Sequence, residues 1–290
     1  MKILVLGGTR FFGGHMVNEL INNNHRVTIA TRGIKQDDFG ERVERIKIDR
    51  LSKISLAKEL GERKFDVICD NLAYCSNDVK NLLNAVKCDR YVMISTTAVY
   101  DKHMETIEED FDPLSYGLRW CSRTDFGYDE IKRQDECALF QHYKNQNAVA
   151  VRIPLGIGQD DYTKRLYFYV EHIIKGIPMY VDNADKQMGF IRSDEAGRFI
   201  AFMVEQELTG TINGSSQGTK SLEEMFAYIT KKTGKRPIFS AQGNAAPYNG
   251  EPAYSINTDK ARKAGFNFMV LNDYIFDLLD YYISFAKGNT

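Results

Sequence analysis

The sequence has no excess of charge of either sign. Its 290 residues include 38 Lys and Arg against 39 Asp and Glu, and no block of like charge stands out along the chain. Proteins that bind nucleic acids through the phosphates usually carry a basic excess or a basic patch. The composition therefore predicts no nucleic-acid partner and favours chemistry on a small molecule.

Long apolar runs, paired cysteines and metal-ligand clusters are also missing from the sequence. No apolar stretch approaches the length that crosses a membrane. The five cysteines are odd in number and form no Cys-x-x-Cys pair, which indicates reduced thiols rather than a disulfide framework or a zinc site. The five histidines are equally scattered. We expect a cytoplasmic protein without a membrane contact or a metal site.

Short apolar runs alternate with helix-compatible stretches over the first half of the chain. After a first run at 3–6, strand-like runs lie at 26–31, 44–48, 66–70, 91–95 and 148–152. This alternation is typical of a parallel sheet with helices on both faces. We predict an α/β fold with a Rossmann-type doubly wound parallel sheet. The expected parts are a dinucleotide-binding domain at 1–153, to which later segments can return, and a smaller substrate-binding lobe at 154–290.

A glycine-rich turn follows the first apolar run, and a helix is predicted after it. Gly7 and Gly8 allow a sharp turn, and Gly13 allows the helix to pack close to the strand, so that its free N–H groups can hold an anion. Arg10 stands where a further glycine is usual. We predict that a cofactor pyrophosphate binds here, with a plain βα connection as the alternative. The predicted contact residues are Gly7, Gly8, Thr9, Arg10, Phe11, Phe12 and Gly13.

The end of the second strand favours NADP over NAD. An acidic residue at this point would bind the 2′-hydroxyl of the adenine ribose and repel a 2′-phosphate. Here the strand ends in Thr31 and Arg32, and Arg10 adds a second positive charge. The alternative is that Arg32 is an ordinary solvated arginine. Asp49, after the third strand, is predicted to accept the adenine amino group, although an Asp at a strand end is often a turn or cap residue.

Tyr128 and Lys132 are four residues apart, which places both side chains on one face of a predicted helix. A neighbouring ammonium stabilises a phenolate, so Tyr128 can move a proton near neutral pH. Thr96 follows the fifth strand, at the sheet edge where ligands bind, and is predicted to hold the reacting oxygen. Packing within the strand is the alternative for Thr96. Tyr228 and Lys232 repeat the spacing, so spacing alone is a weak signal.

Segments along nearly the whole chain resemble, in order, the motifs of the extended short-chain dehydrogenase/reductases of the NAD-dependent epimerase/dehydratase type. LGGTRFFGGH at 6–15 is similar to their TGGxGFIGSH turn, STTAVY at 95–100 to SSAxVYG, and GYDEIK at 127–132 to YGxSK. RIPLGIGQDD at 152–161 is similar to RPxNVYGPGD, and GFIRSDEAGRFI at 189–200 to DFIHVDDVARAI. The resemblance implies that Thr96, Tyr128 and Lys132 form the active triad, that Lys132 and Pro154 contact the cofactor, and that hydride transfer occurs beside Tyr128.

The resemblance implies an enzyme that reduces, oxidises or epimerises a hydroxyl or keto carbon of a sugar-like substrate, and a homodimer. It leaves epimerase and reductase both open. Sugar 4,6-dehydration is disfavoured, because the family's dehydratases carry Asp-Glu after the active Thr, whereas Thr97 and Ala98 follow here. Arg10 resembles atypical members that include chloroplast RNA-associated proteins. A non-catalytic NADP-binding regulator or an RNA-associated protein is therefore the alternative, and the presence of both Tyr128 and Lys132 favours the enzyme.

The substrate is expected to lack a nucleoside diphosphate. In sugar-nucleotide epimerases of this family, one arginine just before the DFIHV-like segment and a second from a later loop bind the diphosphate. Met188 stands at the first point, and the loop at 240–254 contains no Arg or Lys. Burying a diphosphate without paired cations is costly. Arg192 and Lys186 lie close enough in sequence to substitute.

Overall fold

The computed structural model describes residues 1–288. The strands of these residues are β1 (Lys2–Leu6), β2 (Arg26–Thr31), β3 (Val43–Lys47), β4 (Lys64–Asp70), β5 (Lys87–Thr96), β6 (Ala148–Ile153), β7 (Leu155–Ile157), β8 (Met179–Tyr180), β9 (Phe190–Arg192), β10 (Gly210–Asn213) and β11 (Asn244–Ala245). The helices are α1 (Phe11–Asn22), α2 (Lys53–Leu60), α3 (Ser76–Ala85), α4 (Tyr128–Cys137), α5 (Arg165–Lys175), α6 (Ser193–Glu205), α7 (Leu222–Thr233), α8 (Asp259–Lys263) and α9 (Ile275–Ala286). Within the same residues, no helix is long and apolar enough to cross a membrane.

Seven parallel strands form the central sheet, in the order β10-β6-β5-β4-β1-β2-β3. Because β1 pairs with both β2 and β4, the chain builds the sheet outward from β1 in two directions. The carboxyl ends of β1 and β4 therefore border the crevice in which open α/β sheets bind ligands. The predicted Rossmann-type doubly wound parallel sheet is confirmed.

The first strand shows how the sheet is covered on both faces. Residues 3–6 of β1 are fully buried, as their unbroken apolar run predicts. Ile3 and Val5 belong to a core that includes residues of α1 and α6. Leu4 and Leu6 belong to a second core, which includes residues of α2 and α3. Alternate residues of one strand thus hold helices on opposite sides of the sheet.

A smaller lobe is built around α5, α7 and α9, with two short parallel sheets, β7 with β9 and β8 with β11. Its core is rich in tyrosine, and two of the buried hydroxyls donate to backbone carbonyls. Tyr254 Oη donates to Gly189 O at 3.0 Å, and Tyr282 Oη donates to Gly158 O at 2.6 Å. Not all of the chain after 153 lies in this lobe, because α6 packs against α1 and β10 pairs with β6.

Candidate active site

The glycine turn joins β1 to α1 in the conformation that the sequence predicts. Gly7 and Gly8 have φ angles of 85° and 87°, in the region that favours glycine. A Cβ atom on Gly13 would lie 3.0 Å from the Cα atom of Gly8, so the helix and the turn are in direct contact. The first hydrogen bond of the helix runs from Gly14 N to Arg10 O, at 3.3 Å. The N–H groups of residues 11–13 precede that bond, and a helix leaves such groups without an intrahelical acceptor.

A cleft of about 420 Å³ opens above this turn. Its walls bring together most of the predicted cofactor residues, namely Gly7, Gly8, Thr9, Arg10, Phe11, Phe12, Gly13, Arg32 and Asp49. Residues without a predicted role also line this cleft, namely Asn71, Leu72, Tyr74, Arg123 and Tyr162. Thr96, Tyr128, Lys132 and Pro154 do not line this cleft, and Pro154 is buried between β6 and β7.

Arg10 and Phe11 connect the glycine turn to the segment after β7. The guanidinium carbon of Arg10 lies 5.0 Å from the centre of the Tyr162 ring, and the Phe11 ring meets the same ring edge-on at 6.4 Å. Phe11 has a φ of 52°, which costs a non-glycine residue about 1–2 kcal/mol. A Cβ atom on Gly156 would lie 2.9 Å from the Phe11 ring. The strained Phe11 is therefore held by close packing against the second lobe.

The adenosine end of the cleft carries positive charge and one carboxylate. Arg32 is exposed directly after β2, and Thr31 Oγ1 accepts a hydrogen bond from Gly33 N at 3.1 Å. Asp49 Oδ1 accepts from Leu51 N at 3.0 Å, which is the turn contact that sequence analysis offers as the alternative to an adenine contact. Asp49 still lines the cleft, so it has both a local bond and access to the site.

The three predicted reactive side chains lie at the carboxyl end of β5 and in the first turns of α4. Thr96 is the last residue of β5, and its Oγ1 accepts from Ala98 N at 3.1 Å. Tyr128 is the first residue of α4 and is 52% exposed. Lys132 follows one turn later and is buried. The rival residues Tyr228 and Lys232 lie on α7 in the second lobe, where Tyr228 packs against Phe276 and Lys232 donates to Asp280 Oδ2 at 2.8 Å.

Three acceptors surround the Lys132 ammonium. Its Nζ donates to Ala73 O at 2.8 Å, to Ile94 O at 3.0 Å and to Asp135 Oδ2 at 2.5 Å. Burial by itself would lower the pKa of Lys132, but the adjacent Asp135 carboxylate outweighs burial and holds that pKa above its usual range. The ammonium is therefore fixed at the sheet edge as a charged group.

Tyr74 and Arg123 both line the cleft, Tyr74 lies near the Lys132 ammonium, and sequence analysis missed both residues. Lys132 Nζ lies 5.9 Å from the centre of the Tyr74 ring, and the Arg123 guanidinium carbon lies 4.6 Å from the same centre. Arg123 is held by Asp78 Oδ2 at 2.9 Å and by Leu72 O at 2.8 Å. Tyr74 follows β4 closely, so inspection of every strand end would have found it. Arg123 lies in an irregular segment and gives no such signal.

A buried arginine holds the segment between β5 and α4. Arg152, in β6, is fully buried and pairs with Glu136 Oε2 at 2.5 Å. Its other donors bond to Tyr100 Oη at 2.8 Å, Glu108 O at 2.9 Å and Phe111 O at 3.0 Å. Glu136 also accepts from Ser95 Oγ at 2.5 Å. This network links the end of β5, the loop and α4, and thereby supports Tyr128 and Lys132.

The residues considered for a diphosphate are already engaged. Met188 is fully buried. Arg192 forms two bonds to the Asp194 carboxylate, at 2.5 and 2.7 Å, and Lys186 pairs with Asp185 at 3.1 Å. As for metals, residues 1–288 contain no group of three or more His, Cys, Asp and Glu side chains that is placed to hold an ion.

The family model that matches the chain describes the NAD dependent epimerase/dehydratase family, and the match covers residues 3–81. Chloroplast stem-loop binding protein of 41 kDa b from Arabidopsis thaliana is 33% identical to the matched part. That match covers 39% of this chain and only 35% of the Arabidopsis protein.

Solved structures of sugar epimerases match the whole chain in fold. UDP-glucuronic acid 4-epimerase from Bacillus cereus, in complex with UDP-glucuronic acid and NAD, matches with a TM-score of 0.77 and 20% identity over 100% of both chains. UDP-glucose 4-epimerase from Thermotoga maritima, with UDP-glucose, matches with a TM-score of 0.76 and 17% identity over 100% of both chains. At this identity the likeness concerns the fold. Residues 3–81 thus match the model of the NAD dependent epimerase/dehydratase family, and the whole chain shares the fold of these epimerases.

Proposed function

We propose that the protein is an NADP(H)-dependent enzyme that transfers a hydride to or from a hydroxyl or keto carbon of a sugar-like substrate, as a reductase or an epimerase. The observation that carries the proposal is the charged, buried Lys132 one turn after Tyr128, at the sheet edge next to the glycine cleft. Burying an ammonium costs folding free energy. A buried lysine at this edge of the sheet therefore favours a functional role over a structural one.

Each side chain has a role that its chemistry and location support. The Tyr128 hydroxyl gives or takes the proton of the substrate oxygen, and Thr96 holds that oxygen. The Lys132 ammonium stabilises the Tyr128 phenolate through its charge. The N–H groups at the start of α1 and the glycine turn hold the cofactor pyrophosphate, and a cofactor bound there supplies the hydride.

Two arginines support NADP as the cofactor, although NAD is the cofactor named for the solved Bacillus cereus relative. Arg10 and Arg32 both line the cleft, and Thr31 offers no carboxylate to repel a 2′-phosphate. A charge-assisted contact contributes about 1.5–3 kcal/mol, or roughly ten- to a hundredfold in affinity. Calorimetric titration should give tighter binding of NADPH than of NADH, with Arg32→Ala removing most of the difference. Equal affinities in the unmodified protein would refute the preference.

We further propose that the substrate carries no nucleoside diphosphate, although the solved relatives are named for UDP-sugars. The support is that Met188 is buried and that Arg192 is engaged by Asp194. Thermal stabilisation of the NADP-loaded protein by UDP-, GDP- and dTDP-sugars, against simple sugars and small ketones, tests this point. A clear shift with one nucleotide sugar that Arg192→Ala abolishes would contradict it.

A second candidate is an RNA-associated or regulatory protein that binds NADP without turnover. The name of the Arabidopsis relative favours it, and the near-zero net charge of this chain opposes it. Mass measurement of the co-purified cofactor, followed by a panel of sugars and carbonyl compounds monitored through nicotinamide absorbance, separates the two functions. Turnover of any panel member supports the enzyme. Stem-loop RNA binding with a bound cofactor and no turnover supports the regulator.

A further inference from the structure

Asp135 is a fully buried carboxylate to which sequence analysis gives no role. It lies on α4, three residues after Lys132, and one of its oxygens contacts the Lys132 ammonium at 2.5 Å. Its other oxygen, Oδ1, is buried and has no hydrogen-bond partner within residues 1–288. Leaving a buried carboxylate oxygen without a partner is unfavourable for stability. A carboxylate in this setting needs a reason beyond packing.

The Lys132 ammonium supplies that reason. Its other two acceptors, Ala73 O and Ile94 O, are neutral carbonyls. They satisfy hydrogen bonds but do not offset the cost of removing a full positive charge from water. Buried lysines without a counter-ion lose their proton several pH units below the usual value. Burial raises the pKa of the Asp135 carboxyl, and the Lys132 ammonium at 2.5 Å opposes that rise, so each charge of this pair depends on the other. Asp135 is the carboxyl group in contact with Lys132 among the described residues.

The other ionisable groups around this pair are engaged elsewhere. From α4, Glu136 pairs with Arg152, and Tyr128 lies near Lys132. From β4, Asp70 pairs with Arg50 at 2.6 Å. From β5, Tyr91 donates to the same Asp70 carboxylate at 2.8 Å. The remaining neighbours, Tyr74 and the Arg123 that covers it, bring a phenol and another positive charge. Each neighbouring carboxylate thus has an arginine of its own.

We propose that Asp135 is a positioning residue that keeps Lys132 protonated, and that it thereby sets the alkaline limit of the pH range in which Tyr128 and Lys132 act together. The part of this inference that concerns turnover rests on the proposed function. The part that concerns the charge of Lys132 does not, and it has its own measurement.

The matched variant is Asp135→Asn, which keeps an oxygen for Lys132 but removes the negative charge. In this variant Lys132 should have a lower pKa in the folded chain than in the unfolded chain. Between those two values the unfolded chain binds more protons, so stability rises with pH. We expect the ratio of folded to unfolded protein, measured by urea unfolding, to rise by up to about tenfold per pH unit between about pH 8 and pH 10.

The double variant Lys132→Met/Asp135→Asn should lose this rise, because it has no lysine to titrate. If Asp135→Asn does not fold at neutral pH, the proposal requires that alkaline pH or the added Lys132→Met restore folding. Asp280→Asn, which removes the carboxylate of the exposed Lys232 pair, is the control and should leave the pH dependence unchanged. No rise in Asp135→Asn, or the same rise in the double variant, overturns the proposal.

Turnover gives the second readout. The alkaline limit of the pH–rate profile of Asp135→Asn should move down by at least about one pH unit. If Asp135→Asn shows the expected rise in stability with pH but an unchanged alkaline limit of turnover, only the proposed link from Lys132 to Tyr128 is overturned. The role of Asp135 in keeping Lys132 protonated then stands. If the unmodified protein has no turnover with any substrate, the proposed function fails, and the unfolding experiment still decides the role of Asp135.

Discussion

Two Tyr–Lys pairs with the same spacing lie in very different surroundings in this molecule. On α4, the Lys132 side chain is 3% exposed and contacts an equally buried carboxylate. On α7, the Lys232 side chain is 46% exposed and pairs with Asp280 at the surface between two helices. Tyr128 is half exposed at the start of its helix, whereas the Tyr228 ring packs on Phe276 with ring centres 4.5 Å apart.

The difference shows that four-residue spacing specifies a shared helix face and little else. The field of an ammonium is strong only where water is excluded, because the same charge is screened many times more effectively at the surface. A phenol becomes available for proton transfer only if its hydroxyl is not locked into a core. The pair on α4 combines a buried ammonium with an exposed phenol, whereas the ammonium of the pair on α7 is exposed to water.

The largest difference between the pairs should appear in turnover. Tyr128→Phe is expected to lower kcat by about 10²- to 10⁴-fold, because general acid–base catalysis contributes that much. Affinity for the cofactor should remain nearly unchanged. Tyr228→Phe is the matched control and should leave kcat close to that of the unmodified protein. Steady-state kinetics on the best substrate of the panel measure both variants. Equal losses of kcat in the two variants would contradict the assignment of proton transfer to Tyr128.

The second difference should appear in stability. Lys132→Met leaves Asp135 as a buried carboxylate without its partner, which is expected to lower the free energy of unfolding by about 3–5 kcal/mol. Lys232→Met removes an exposed partner and should leave the unfolding midpoint in urea within experimental error. A large loss for Lys232→Met would mean that exposure does not separate the two pairs.

A third ion pair, of intermediate exposure, sharpens the comparison. His15 Nε2 lies 3.0 Å from Asp160 Oδ2, and both side chains are 39% exposed. The hydrogen bond to Asp160 raises the pKa of His15. Its stabilisation is therefore present below the pKa of the unfolded chain and is lost as pH rises through the folded pKa. His15→Gln should lower stability by under about 1 kcal/mol near pH 5 and by less near pH 8. Thermal unfolding at both pH values measures the effect, and a larger loss at the higher pH would reverse the assigned sign.

The glycine turn and the sheet were predictable because their requirements are local. Gly7, Gly8 and the apolar run before them fix a turn between a buried strand and a helix without reference to distant residues. The parallel sheet with helices on both faces followed from the alternation of strands and helices. Confirmed features of this kind depend on a few neighbouring residues and on backbone geometry.

The features that sequence analysis missed depend on long-range contacts. Arg123 bonds to Asp78 and Leu72, which precede it by 45 and 51 positions. The residues next to Arg123 in the sequence do not predict these contacts. Asp135 gains its importance only because the folded chain removes water from Lys132. The sequence allowed Asp49 to be either an adenine contact or a turn residue. Its hydrogen bond from Leu51 N is seen only in the folded structure. The sequence gives the type of each residue, but it does not show which residues become buried or which distant residues they contact.

Arg152 has a consequence for the order in which a growing chain can complete this protein. Its bonds to Tyr100, Glu108 and Phe111 fasten a loop that was synthesised some 40–50 residues earlier. Arg152 can make these bonds only after β6 emerges from the ribosome and joins β5. A nascent chain that already carries Tyr128 and Lys132 therefore lacks these bonds until the next strand is synthesised.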